Sequence, residues 1–219
     1  MSTFPGSPRL IKGGIVLIDP DTSLVQRIIA LQYNPDTLTR TLQVQGAGAQ
    51  AGDRSEALRL RGPAVETIKC DVEIDATDQL EFPDKNSTAV EVGLLAQLAA
   101  LETIIYPTSN QLLSTNTLAQ SGTLEIAPME APLTLFVWSK SRVLPVRLTD
   151  FSVTEEAFDP ALNPIRAKVS LGMHVLTVDD VGFNHKGGSM FMIYLQQKEQ
   201  LAKRSQAGAL STLGIGSIP

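Results

Sequence analysis

The chain has 219 residues, 43% of them hydrophobic, and a formal net charge of -5; this is enough apolar material for one β-rich domain with appendages and excludes disorder throughout. No Lys/Arg cluster is longer than two residues, which excludes a DNA- or RNA-binding surface built on phosphate contacts. A single cysteine, Cys70, rules out an intrachain disulfide; its phase in a predicted strand makes it a core residue of a protein assembled in a reducing compartment.

The first residues, Met1 to Arg9, lack a basic region followed by an apolar run, so classical secretion is not expected. The apolar stretch from Val92 to Ile105 is broken by Gln97, Glu102 and Thr103, short of the ~20 residues a membrane span needs, so direct membrane insertion is not expected either. Gly14 to Ile18 and Leu24 to Tyr33 are apolar runs separated by Asp19-Pro20-Asp21-Thr22-Ser23, the composition of a hairpin turn. Pro35, with no amide hydrogen, ends that ladder, and a third strand is predicted from Thr37 to Val44. Gln45 to Gly52 carries no large side chain and reads as a loop. A phosphate-cradling glycine loop would need a lysine and a following helix, whereas Asp53-Arg54-Ser55-Glu56 follow.

From Val65 to Asp75 the chain alternates, with Ile68, Cys70, Val72 and Ile74 on one face and Thr67, Lys69, Asp71, Glu73 and Asp75 on the other. The carboxylates of Asp71, Glu73, Asp75 and Asp78 read as a solvated face rather than a metal site, because alternate strand positions stand about 7 Å apart and the order of a calcium loop is absent. Thr88 and Glu91 have capping-box spacing, and Val90, Leu94, Leu95, Leu98, Leu101 and Ile105 recur at helical intervals, predicting one helix that ends before Pro107. Asn86-Ser87-Thr88 matches a glycosylation acceptor, taken as a chance match without a signal peptide. Thr108 to Met129 is polar and reads as a connecting loop or a short edge element.

Leu133 to Ser139 and Val143 to Val153 are predicted strands, the second changing apolar phase between Leu148 and Phe151, which places a β-bulge near Thr149 or Asp150. Ile165 to Val175 alternates cleanly, with Arg166 and Lys168 on its polar face. Asn184 to Gly188 reads as a hinge, and Ser189 caps a predicted helix from Met190 to Arg204. Its Met190, Phe191, Tyr194, Leu195 and Leu201 are expected to pack on a neighbouring subunit. Two regions follow: a β domain over 1–183, and a helical arm with a flexible tail over 184–219.

Catalytic chemistry lacks its usual anchors. The two histidines, His174 and His185, are far in sequence from Cys70, and no Gly-x-Ser-x-Gly, His-Glu-x-x-His or Cys-x-x-Cys motif occurs. No catalytic residue, cofactor or metal is expected.

The hairpin opening, Tyr33-Asn34-Pro35, the strand through Cys70 to Ile74, the helix from Thr88, the Phe136-Val-Trp138 strand and the segment from Phe158-Asp159-Pro160 to Leu171 occur in an order that resembles the tube-type hub proteins of contractile injection systems. These are phage-tail-like particles that drive a rigid tube through a target envelope. The resemblance spans about Ile11 to Leu176. It implies a mainly β fold with added α structure: a tube-protein-like β-sandwich or barrel with one flanking helix, here followed by a C-terminal helical arm. It further implies a homohexameric ring in the baseplate, between a trimeric spike and the inner tube or tube initiator and beside the wedge proteins, assembled in the cytoplasm of the producing bacterium. Many relatives continue into a LysM-like module; only 184–219 stands in its place here, so peptidoglycan binding is not carried over. A tube-initiator or tail-completion ring would share the fold, and a ligand-binding β-barrel or hydrolase is the alternative of a different class. On the ring reading, Gly46, Gly48 and Gln50 of the loop, Arg166 and Lys168 of the last strand, and the five arm residues above are the expected interface.

Overall fold

The computed structural model describes residues 11–46, 59–120, 131–205, 208 and 210–218. Among these residues, seven antiparallel strands form one sheet: β1 Gly14–Ile18, β2 Val25–Ala30, β3 Thr39–Gln43, β4 Val65–Asp75, β5 Leu133–Ser139, β6 Arg142–Phe158 and β7 Pro164–Val175, in the order β2-β1-β5-β6-β7-β4-β3. Six α-helices accompany them: α1 Thr77–Leu80, α2 Ser87–Val92, α3 Leu95–Glu102, α4 Ser109–Gln120, α5 Val178–Val181 and α6 Lys186–Arg204. The fold is therefore mainly β with α elements, the class expected.

Consecutive strands β2 and β3 lie at opposite edges of the sheet, which would be about 29 Å apart if it were flat, at roughly 4.8 Å per strand. The connection that joins them, residues 31–38, contains the Asn34-Pro35 corner and bridges the two sides of the sheet. The contacts of that connection show the closure. Leu31 N donates to Gly13 O beside β1 at 2.9 Å, and the next residue, Gln32, hydrogen-bonds the backbone of Asp75 at the end of β4.

The concave side of this curl is the core. Ile15, Ile68, Val72, Phe136, Leu144, Val169 and Met173 pack there, and Cys70 is buried among them. Burial pushes the Cys70 thiol up to about 11, with the Asp71 charge adding to the effect, so it stays a protonated, unreactive thiol. Leu94, Leu98 and Leu101 recur at helical spacing along the α3 segment and fill the same cluster. The predicted bulge in β6 is present: the β6–β7 register shifts between Leu148 and Asp150.

Three expectations are corrected. The single helix from Thr88 to Ile105 is two, because Gly93 (φ 56°) breaks it. Leu94 N donates to Pro164 O at 2.8 Å, and a side chain at Gly93 would run into that carbonyl. Within the polar stretch from Thr108, expected to be a loop or edge element, residues Ser109–Gln120 form α4, capped by a reciprocal box in which Thr108 N donates to Gln111 Oε1 at 2.9 Å and Gln111 N to Thr108 Oγ1 at 3.3 Å. The Gly187-Gly188 pair, read as a hinge, is the buried first turn of α6; Gly188 lies so close to the Gly182 carbonyl that a Cβ there would collide with it.

Candidate assembly interface

Among the described ladders, β2 pairs only with β1 and β3 only with β4, so each end of the sheet presents a free strand edge. Both edges carry large apolar side chains in solvent: Val25 and Ile28 on β2, Leu42 on β3 and Val44 just beyond it. Natural edge strands usually carry a charge or a proline that repels a second sheet. Here the one charge on each edge strand is held by side-chain hydrogen bonds. Arg27 of β2 donates to Ala100 O at 3.1 Å and Thr103 Oγ1 at 2.6 Å at the end of α3. Arg40 of β3 donates through Nε to Glu66 Oε1 at 2.7 Å. The β3 charge is thus paired with a carboxylate, whereas Arg27 keeps its charge against neutral acceptors, and both edges keep exposed apolar side chains.

Glu66 belongs to the same alternating face of β4 as Ile68 and Cys70 and is 2% exposed. Lys198 Nζ donates to its Oε2 at 2.9 Å and the Tyr194 hydroxyl to its Oε1 at 3.3 Å, so α6, β3 and β4 meet on one carboxylate. Burial pushes that carboxyl up, but the hydrogen bonds and charges of Lys198 and Arg40 outweigh it and hold it below its ordinary value.

This network, and the packing around it, changes the expected role of the arm. Phe191 and Tyr194 are buried in the chain's own core, Leu195 packs against that core, and Met190 packs on the smaller cluster of Ile18, Leu133 and Leu135. The expectation that the arm meets a neighbouring subunit is overturned for Phe191 and Tyr194, which the curled sheet beneath α6 already covers; Met190 and Leu195 are half-buried against it. Leu201, with Ile193, stays exposed.

Arg166 and Lys168 stand on the polar face, as read. Arg166 Nε lies 2.8 Å from Asp75 Oδ2 and Lys168 Nζ 3.5 Å from Asp71 Oδ2; Ser170 donates to Asp71 at 2.6 Å. Asp71 titrates below its ordinary value, first through the Ser170 hydrogen bond, and Asp75 does so because hydrogen bonds from Thr77 and Arg166 outweigh its burial. Tyr33, Glu73, Asp75, Glu156, Arg166 and Lys168 border an open depression of about 410 Å³ on this face. Among the described residues, no group of three or more His, Cys, Asp and Glu side chains is placed to hold a metal ion, and no helix is long and apolar enough to cross a membrane.

Gly46 sits at the stem of its loop, bridged to Leu60, with Arg61 N donating to Gln45 O at 2.9 Å. Gly48 and Gln50 lie outside the described residues. The exposed apolar residues of the edges themselves, Val25, Ile28, Leu42 and Val44, are further candidates that the sequence reading did not single out. Their signal is an apolar strand residue with no lysine, glutamate or proline between it and solvent. No protein-family model matches this chain, and no curated protein matches it.

Proposed function

We propose that this chain is a structural protein that assembles as a closed, hexameric ring in the baseplate hub of a contractile injection system, joining a trimeric spike to the inner tube with wedge proteins around it. The observation that carries the ring is the pair of free edges at opposite ends of one curled sheet, each with exposed apolar side chains: Val25 and Ile28 on β2, Leu42 and Val44 at β3. Because β2 and β3 are different surfaces, a contact between them is heterologous, and such a contact repeats from copy to copy until rotation closes it. Edge pairing also covers strands that would otherwise template aggregation. The mainly β architecture and the order of its elements support assignment to the hub. On this reading the protein acts by shape and carries no catalytic residue or cofactor.

Sedimentation velocity of the full-length protein tests the ring. Ile28→Lys on β2 or Leu42→Lys on β3 is expected to leave a folded monomer where the unmodified chain forms a ring. Oligomers that survive both substitutions unchanged would remove the edges from the proposal.

A further inference from the structure

We propose, resting on the ring reading, that α4 is the arm by which one copy of this chain grips the next, lying across the β3 edge of a second copy. A helix of 12 residues is marginal in water by itself and normally depends on tertiary packing, yet α4 buries none of its residues. It is nevertheless specified by a capping box. Its surface is unusual in having no charge: residues 103–124 contain no Asp, Glu, Lys or Arg in a chain that is 19% charged. Leu112 and Leu113, preceded by Ile105 and Tyr106, are all exposed. Depletion of charge together with exposed Leu, Ile and Tyr is the composition of an interface centre.

The root of α4 fixes which side of the molecule it serves. Arg27 of β2 holds Ala100 and Thr103 at the end of α3, and α4 begins six residues after Thr103, at Ser109. The helix therefore springs from beside the β2 edge, the edge that a second copy's β3 meets in the ring. The β3 strand offers Thr39, Thr41, Leu42 and Gln43, with its one charge, Arg40, paired with Glu66. An uncharged helix of Ser, Thr, Asn, Gln and Leu suits that partly apolar strand, and neither side has to strip water from an unpaired charge.

Two single-cysteine additions to the full-length chain, Leu113→Cys and Leu42→Cys, test this, since buried Cys70 does not compete. Oxidising a mixture of the two proteins is expected to give a disulfide-linked dimer that neither gives alone. The double substitution Leu112→Asp with Leu113→Asp is expected to weaken self-association about tenfold or more, the loss typical of a central contact. Cross-linking of Leu113→Cys with itself would overturn the assignment, as would a ring that forms with no cross-link and tolerates the aspartates, an outcome that leaves the ring reading standing. A chain that stays monomeric at every concentration overturns both.

Discussion

Gln32 holds the backbone of Asp75 as a neighbouring strand would: its Nε2 donates to Asp75 O at 2.6 Å, and its Oε1 accepts from Asp75 N at 3.0 Å. One side-chain amide thereby satisfies both backbone groups of a residue at the end of β4, beyond the reach of β3, whose ladder runs from Val65 to Lys69. It also ties the corner after β2 to a strand five places away in the sheet.

Replacing Gln32 by Ala leaves a part-buried N–H and C=O without partners, at a cost of about 2 kcal/mol. Urea denaturation checks the magnitude, and hydrogen exchange checks the place: Asp75 and Ala76 are expected to lose protection first. Unchanged stability would mean that the curl holds without this clasp.

Glu66→Gln keeps the shape and removes the charge on which Arg40, Lys198 and Tyr194 converge. The expected loss is about 2 kcal/mol, in the range for hydrogen bonds to a charged group. The pH dependence carries a definite sign. Because the folded carboxyl titrates below its ordinary 4.5, its contribution is complete above 4.5 and is lost as pH falls through the lower folded value. Thermal unfolding from pH 6 to pH 3 is thus expected to fall more steeply for the unmodified protein than for Glu66→Gln. Parallel curves would remove the network from the acid response.

Leu162, at the turn between β6 and β7, has φ 66° and is 80% exposed. A left-handed leucine costs roughly 1 kcal/mol, and Asn tolerates the conformation better. Leu162→Asn is therefore expected to stabilise the isolated protein, by up to about 1 kcal/mol in chemical denaturation, since the turn itself is held by Asp159 accepting from Ala161 N and Asn163 N. Destabilisation would show that the leucine side chain contributes to the fold.

Neutralising Arg166 and Lys168 together is expected to move the melting temperature by no more than a degree or two, because both cations are exposed and such pairs contribute little. A larger drop would make the polar face part of the fold's stability rather than a surface for contacts.

The strands were legible because alternation is local. The faces of β4 and β7, and the β6 bulge, could be read from a few consecutive residues. Gly93 breaks the α2–α3 helix for a reason located on β7, so periodicity alone suggested a continuous run. The capping signal for α4 was present in Thr108-Ser-Asn-Gln111, but its leucines form no stripe and its Ser, Thr and Asn favour loops. Glu66 in the apolar phase of β4 was a visible oddity, yet its partner Lys198 is 132 residues away. The apolar run of α6 was equally visible. Sequence shows that such a face will be covered but not by what, and here the cover is the chain's own sheet.

Negative-stain electron microscopy of the full-length protein across concentration tests the central claim most directly. Class averages of a sixfold ring are expected, lost on Ile28→Lys. Single particles of one 23.5 kDa chain at every concentration, or a ring indifferent to that substitution, would contradict it.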